Sequence, residues 1–132
     1  MATDSQKIIG LAMREGGKNI PEAFNGKGET VEPNCGDILR IYLRINSRQV
    51  VEEAGYFVSE KACMPLFASA AAAVQLALGK PALSAYSISK DEIAALLSDD
   101  GSLNVEHEHC AIMAELSLKR AVVDYSERSK HA

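Results

Sequence analysis

In residues 37–45, DILRIYLRI, apolar side chains recur at every second position from Leu39 to Ile45, and this period of two decides the fold class. Leu39, Ile41, Leu43 and Ile45 line one face, while Arg40, Tyr42 and Arg44 occupy the other. The pattern predicts a strand in a sheet with one wet face. After the turn sequence NSRQ comes VVEEAGYFV, rich in β-branched and aromatic residues, so the two runs predict an antiparallel hairpin in which Gly55 marks a bulge or close approach.

Upstream, Thr3 and Gln6 form a capping box ahead of Ile8, Ile9, Ala12 and Met13, which predicts a first helix ended by Gly16 and Gly17. The stretch 18–34, rich in Gly, Asn, Pro and Glu, reads as a long loop with a short edge strand near Thr30 and Val31. Downstream, Pro65 suits a helix start and Gly79 with Pro81 a stop; the small residues 68–73 between them predict a closely packed central helix. Ser89 and Glu92 make a second capping box before a short helix, and a last helix is expected over 109–125, with 126–132 a frayed tail. This order is α+β: a small antiparallel β-sheet packed against a layer of helices, with an N-terminal helix first and a long C-terminal helix last.

A chain of 132 residues that is 47% hydrophobic can bury one core, so a single domain over 1–132 is expected. Its net charge of -4 argues against nucleic acid as a partner. Polar breaks interrupt every apolar run before the roughly 18 residues of a membrane span, so the expectation is a cytoplasmic chain with no membrane partner. Three cysteines, an odd count at irregular spacing, point to reduced thiols rather than a disulfide framework.

Any one of these cysteines is unremarkable, since a thiol commonly serves as a small buried hydrophobe. Their neighbours change the balance. Cys35 lies in Cys-Gly-Asp, where Gly36 permits a tight turn that lets Asp37 face the same centre, although Asp after Gly also suits a plain turn cap. Cys63 and Cys110 are each expected at a helix start, where unpaired N–H groups favour a thiolate, and His109 adds an imidazole beside Cys110. His107, in an acidic loop, and His131, in the tail, carry no ligand signal. No spacing matches a zinc finger; a dispersed set of Cys35, Asp37, Cys63, His109 and Cys110 instead suits a site assembled by the fold, able to hold zinc or an iron-sulfur cluster. A Cys-His hydrolase built on Cys110 is disfavoured, because adjacent residues of one helix point in different directions.

The pieces CGDILRIYLRI, residues 57–63 with the Ala-Ser helix that follows, DEIAALL and HCAIMAELSLKRAVVDY together resemble the NifU-like (IscU-type) iron-sulfur cluster assembly scaffold proteins, in the family's order and over most of the chain. The resemblance implies the same α+β fold and a scaffold rather than an enzyme. It implies that Cys35, Cys63 and Cys110 hold a transient cluster of the 2Fe-2S type, that Asp37 tunes its lability, that His109 is an extra or alternative ligand, and that zinc occupies the empty site. The implied partners are a cysteine desulfurase, which supplies sulfur as a persulfide, and apo iron-sulfur acceptor proteins. Ala62-Cys63-Met64 replaces the family's Gly-Cys-Gly, GSLNVEHEH replaces its chaperone-recruiting Leu-Pro-Pro-x-Lys, and Gly16-Gly17 replaces its Asn-Pro, which leaves chaperone-assisted release and the usual desulfurase docking open. The alternatives are a zinc-dependent sulfur acceptor or sulfurtransferase, and a divergent paralogue acting as a binding partner.

Overall fold

The computed structural model describes residues 20–33, 36–59, 64–97 and 105–130, the last stretch with side chains from 108 onward. The first helix expected near the N-terminus lies outside these residues. Three strands, β1 (Gly26–Val31), β2 (Ile38–Ile45) and β3 (Val51–Val58), form an antiparallel sheet in the order β1-β2-β3. Four helices follow: α1 (Met64–Ala77), α2 (Ala82–Tyr86), α3 (Lys90–Leu97) and α4 (Val105–Lys130). Among the described residues this is the expected α+β arrangement, with the long helix last.

The alternation of β2 is realised as predicted. Leu39, Ile41 and Leu43 are completely buried against the helices, each worth about 1.5–3 kcal/mol relative to exposure. On the other face Arg40 pairs with Glu29 directly across the β1–β2 ladder, and Arg44 pairs with both Glu52 and Glu53. That double pairing has a backbone cause. The ladder slips one residue between Arg44 and Ile45, opposite β3, so Glu52 and Glu53 are both exposed beside one guanidinium. The irregularity is therefore at Arg44/Ile45 and not at Gly55, which pairs in regular register with Tyr42. Tyr42, on the wet face, is itself covered: Phe24 packs edge-on against it with ring centroids 4.9 Å apart.

Strand β1 is longer than the expected edge strand at Thr30 and Val31. It begins at Gly26, within a stretch whose glycines argued for loop, and those glycines have a packing reason. A Cβ on Gly28 would overlap the backbone carbonyl oxygen of Ser117, and one on Gly26 would lie 2.5 Å from that of Ala121. Helix α4 thus rests backbone to backbone on β1. It also closes the sheet edge, since Asp124 accepts from the Lys27 N–H at 2.9 Å and Arg120 donates to the Glu29 carbonyl at 2.6 Å.

Helix α1 is the central element its alanines predict. Ala68, Ser69 and Ala70 to Ala73 are all buried, packed against β3, α3 and α4. Gly79, at φ +80°, ends it, and the chain returns along the start of β3 through Gly79 N–H to Val51 O and Val51 N–H to Lys80 O, each 2.9 Å. The capping box of α3 forms in both directions, Ser89 N–H to Glu92 and Glu92 N–H to Ser89 Oγ. The last helix exceeds the expected 109–125 at both ends. Acidic residues suit its N-terminal turns, and Arg128–Asp124 and Lys130–Glu127 pairs with basic side chains in the final turn carry it through Lys130, where a frayed tail was expected.

Two outcomes follow from this packing. Gly28→Ala should lower the unfolding free energy by about 3 kcal/mol, the upper end for overpacking, read as a fall in urea midpoint. Tyr56 has its hydroxyl buried with no hydrogen-bond partner among the described residues, and burial pushes its phenol above the ordinary value. The neutral phenol is thus favoured in the folded state, so the stability it supports is complete below about pH 10 and falls as pH rises through the folded pKa. Tyr56→Phe should be neutral or stabilising by up to about 1 kcal/mol at pH 7 and should flatten the alkaline loss in a pH series of urea melts.

Candidate functional site

The closest approach of α4 to β1 fixes a register. Gly26 meets Ala121, Gly28 meets Ser117, and Thr30 Oγ1 hydrogen-bonds Ser117 Oγ at 2.6 Å and the Met113 carbonyl at 3.3 Å. Ser117, completely buried, also donates to the Leu39 carbonyl at 3.3 Å, which ties β2 to the same point. The helix therefore runs antiparallel to β1. From Ser117 back to His109 it advances about 12 Å, and from Gly28 to Glu32 the strand advances about 13 Å. The next rung follows: His109 Nε2 lies 3.5 Å from Glu32 Oε1.

Glu32 opens the β1–β2 loop. Its N–H donates to the Asp37 carbonyl and its carbonyl accepts from the Gly36 N–H, both at 2.8 Å, so the loop is pinned at its stem. Gly36 turns the chain with φ +76°. Asp37 is half-buried where the loop rejoins β2. Cys35, between these described residues, lies outside them. Ser59, just past β3, closes the same end: its Oγ accepts from the Ile38 N–H and its N–H donates to the Ile38 carbonyl, each at 3.0 Å. Cys63 also lies outside the described residues; α1 starts at the residue after it. Because α1 ends against Val51, at the start of β3, it runs back along that strand and its first turn lies at the Val58 end.

The loop holding Asp37, the end of β3, the start of α1 and the early turns of α4 thus gather at one end of the sheet. Of the expected site residues, Asp37, His109 and Cys110 are on these segments. The helix-start expectation for His109 and Cys110 needs correction. Helix α4 begins at Val105, four residues before His109, so both are past the first turn whose unpaired N–H groups would favour a thiolate. They also face apart: Cys110, a thiol, is 6% exposed and belongs to the core with Met113 and Ala114, whereas the His109 side chain is half exposed. The two side chains thus point in different directions, as expected for adjacent residues of one helix. Among the described residues no three His, Cys, Asp or Glu side chains gather as a metal site. Helix α3 steadies the same end of α4, since Lys90 donates from its N–H to Glu115 and pairs through Nζ with Glu108, which raises the Lys90 pKa.

Glu32 is the residue the sequence reading did not single out. Its only signal is a carboxylate three positions before Cys35 in a loop otherwise read as turn chemistry.

The model of the NifU-like N terminal domain family matches residues 13–132. The chain belongs to this family. An iron-sulfur cluster assembly scaffold protein IscU of Archaeoglobus fulgidus is 30% identical over 108 residues, 82% of this chain and 67% of that protein. The IscU scaffold protein of Escherichia coli is 28% identical over 103 residues, 78% of this chain and 76% of its own. Among solved structures, a SUF-system scaffold protein from Fervidobacterium islandicum matches the NifU-like fold described here with a TM-score of 0.72 at 14% identity, over 89% of this chain and 94% of the other. A NifU-like N-terminal protein from Brucella abortus matches with a TM-score of 0.54 at 20% identity, over 93% of this chain and 79% of that one.

In this NifU-like chain the Gly36 turn separates conformational from steric cost. Among the described residues a Cβ there meets nothing within 4 Å, so Gly36→Ala should lose only the left-handed backbone penalty, about 1 kcal/mol, and Gly36→Asn less. Urea melts of the two variants check the order.

Proposed function

We propose that this chain is an iron-sulfur cluster assembly scaffold: Cys35, Cys63 and Cys110 bind iron and sulfide, Asp37 and His109 complete the inner sphere, and the finished cluster leaves for an acceptor protein. The observation that carries the reading is the gathering of loop, strand end and helix starts at one end of the sheet. Cys110 is on one of these segments, and in the sequence Cys35 directly precedes Gly36 of the loop and Cys63 directly precedes Met64, the first residue of α1. Membership of the NifU-like family and similarity to proteins named as IscU scaffolds support the same reading.

The chemistry suits a donor set of this kind. Thiolates hold iron and bridging sulfide clusters firmly, whereas a carboxylate or imidazole is a harder and more replaceable ligand. A site with three thiolates and one or two exchangeable groups binds strongly enough to build and weakly enough to release. Its two sides differ accordingly: Cys110 is buried and His109 exposed, which supports a site sheltered by α4 and open on the His109 side. Sulfur delivery then follows thiol exchange rules. A site thiolate attacks the terminal sulfur of a desulfurase persulfide and takes it, and the desulfurase thiolate departs. We place this work in a reducing compartment, with a 2Fe-2S cluster as the transient cargo, zinc as its stand-in, and a cysteine desulfurase and apo iron-sulfur proteins as partners. Among the described residues no helix is long and apolar enough to cross a membrane.

Anaerobic incubation with ferric iron, sulfide and a thiol should give visible absorption from bound cluster, and the product should activate an apo-ferredoxin. Cys35→Ser, Cys63→Ser and Cys110→Ser should each abolish stable cluster formation. A colourless product, or persulfide uptake that requires zinc and no iron, would replace this reading with that of a zinc-dependent sulfur acceptor.

A further inference from the structure

We infer that Glu32 is a positioning residue for His109, holding the imidazole through its Nε2–H so that Nδ1 is the ring nitrogen offered to the cargo iron. This rests on the scaffold reading for the identity of the cargo, but the pairing itself stands on geometry. The Glu32 carboxylate is 3.5 Å from His109 Nε2, and its side chain is 12% exposed where that of His109 is 50% exposed. The acid is the fixed member. Its backbone is locked on both sides, by the Asp37 carbonyl and the Gly36 N–H, and it sits on the rung set by the Gly28–Ser117 contact.

A neutral imidazole has one N–H donor and one lone-pair acceptor. With Nε2–H directed at a carboxylate, the lone pair is at Nδ1, the arrangement by which carboxylates behind metal-binding histidines fix the tautomer and the ring orientation. Nδ1 is also the nitrogen nearer the helix backbone.

Two measurements separate this inference from the scaffold reading. In metal-free protein, ring nitrogen-15 shifts should show His109 as the Nε2–H tautomer in the wild type and in Glu32→Gln, whose amide oxygen still accepts, and a mixture with Nδ1–H in Glu32→Ala. Identical ring shifts in wild type and Glu32→Ala would overturn the pairing. In cobalt titrations followed by visible absorption, Glu32→Ala should weaken binding about ten- to a hundredfold in the wild-type background and cause no further loss in His109→Ala. An equal loss in both backgrounds would overturn it, because Glu32 would then act independently of His109. A wild-type chain that keeps the ring signature but binds neither cobalt nor cluster would support the pairing and overturn the scaffold reading.

Discussion

The structure depends on one close contact, the seating of α4 on β1 at Gly26 and Gly28. Nothing but hydrogen occupies the space between the Gly28 backbone and the Ser117 carbonyl, so the helix axis is held nearer the strand than any side chain would permit. Close approach also brings Ser117 within reach of both Thr30 Oγ1 and the Leu39 carbonyl, so a buried hydroxyl is satisfied where it would otherwise carry a desolvation cost. The contact sets register as well as distance. A helix sliding by one residue along β1 would break the Thr30–Ser117 bond, the Lys27–Asp124 bond and the Arg120–Glu29 bond together.

That register connects the core to the site. The rows of buried residues on β2, α1 and α4 could be packed in several ways by hydrophobic burial alone, which is not directional. The small-residue contact and its polar bonds select one, and in that one the early turns of α4 lie beside the β1–β2 loop. Polar groups at the sheet end repeat the strategy on a smaller scale: Ser59 with Ile38 holds the end of β3, and Glu32 with Asp37 and Gly36 holds the loop stem.

Much of this was legible in the sequence, for physical reasons that differ by element. Strand β2 was unmistakable because one face is dry and the other wet, so its residues alternate. Helix α1 was visible from its alanines between Pro65 and Gly79, and α3 from its capping box. Strand β1 was largely hidden, because the glycines that admit α4 are the residues that argue locally for loop; the requirement is tertiary and leaves no periodic trace. The ends of α4 were misjudged for a related reason, since charged residues outside the apolar stripe extend it through ion pairs and dipole effects that a hydrophobic pattern does not report. Of the site, the residue types were legible and their geometry was not. Asp37 after Gly36 and His109 beside Cys110 could be named, but the Glu32–His109 pairing requires the antiparallel register of α4 on β1.

The adjacency of His109 and Cys110 has a consequence for how such a site can work. Consecutive residues on a helix are separated by about 100° around its axis, and here that angle divides core from solvent: one side chain joins Met113 and Ala114, the other reaches the loop at Glu32. Two ligands from neighbouring positions therefore cannot approach a bound ion from the same direction. The thiol side is fixed by packing that also stabilises the fold, so altering it disturbs the core, whereas the imidazole side is held by one carboxylate at a solvent-facing loop. On the scaffold reading proposed above, release of a cargo is easier by exchange at the imidazole, where only the contact with Glu32 has to give way, than at the thiol, where the helix would have to move off the sheet.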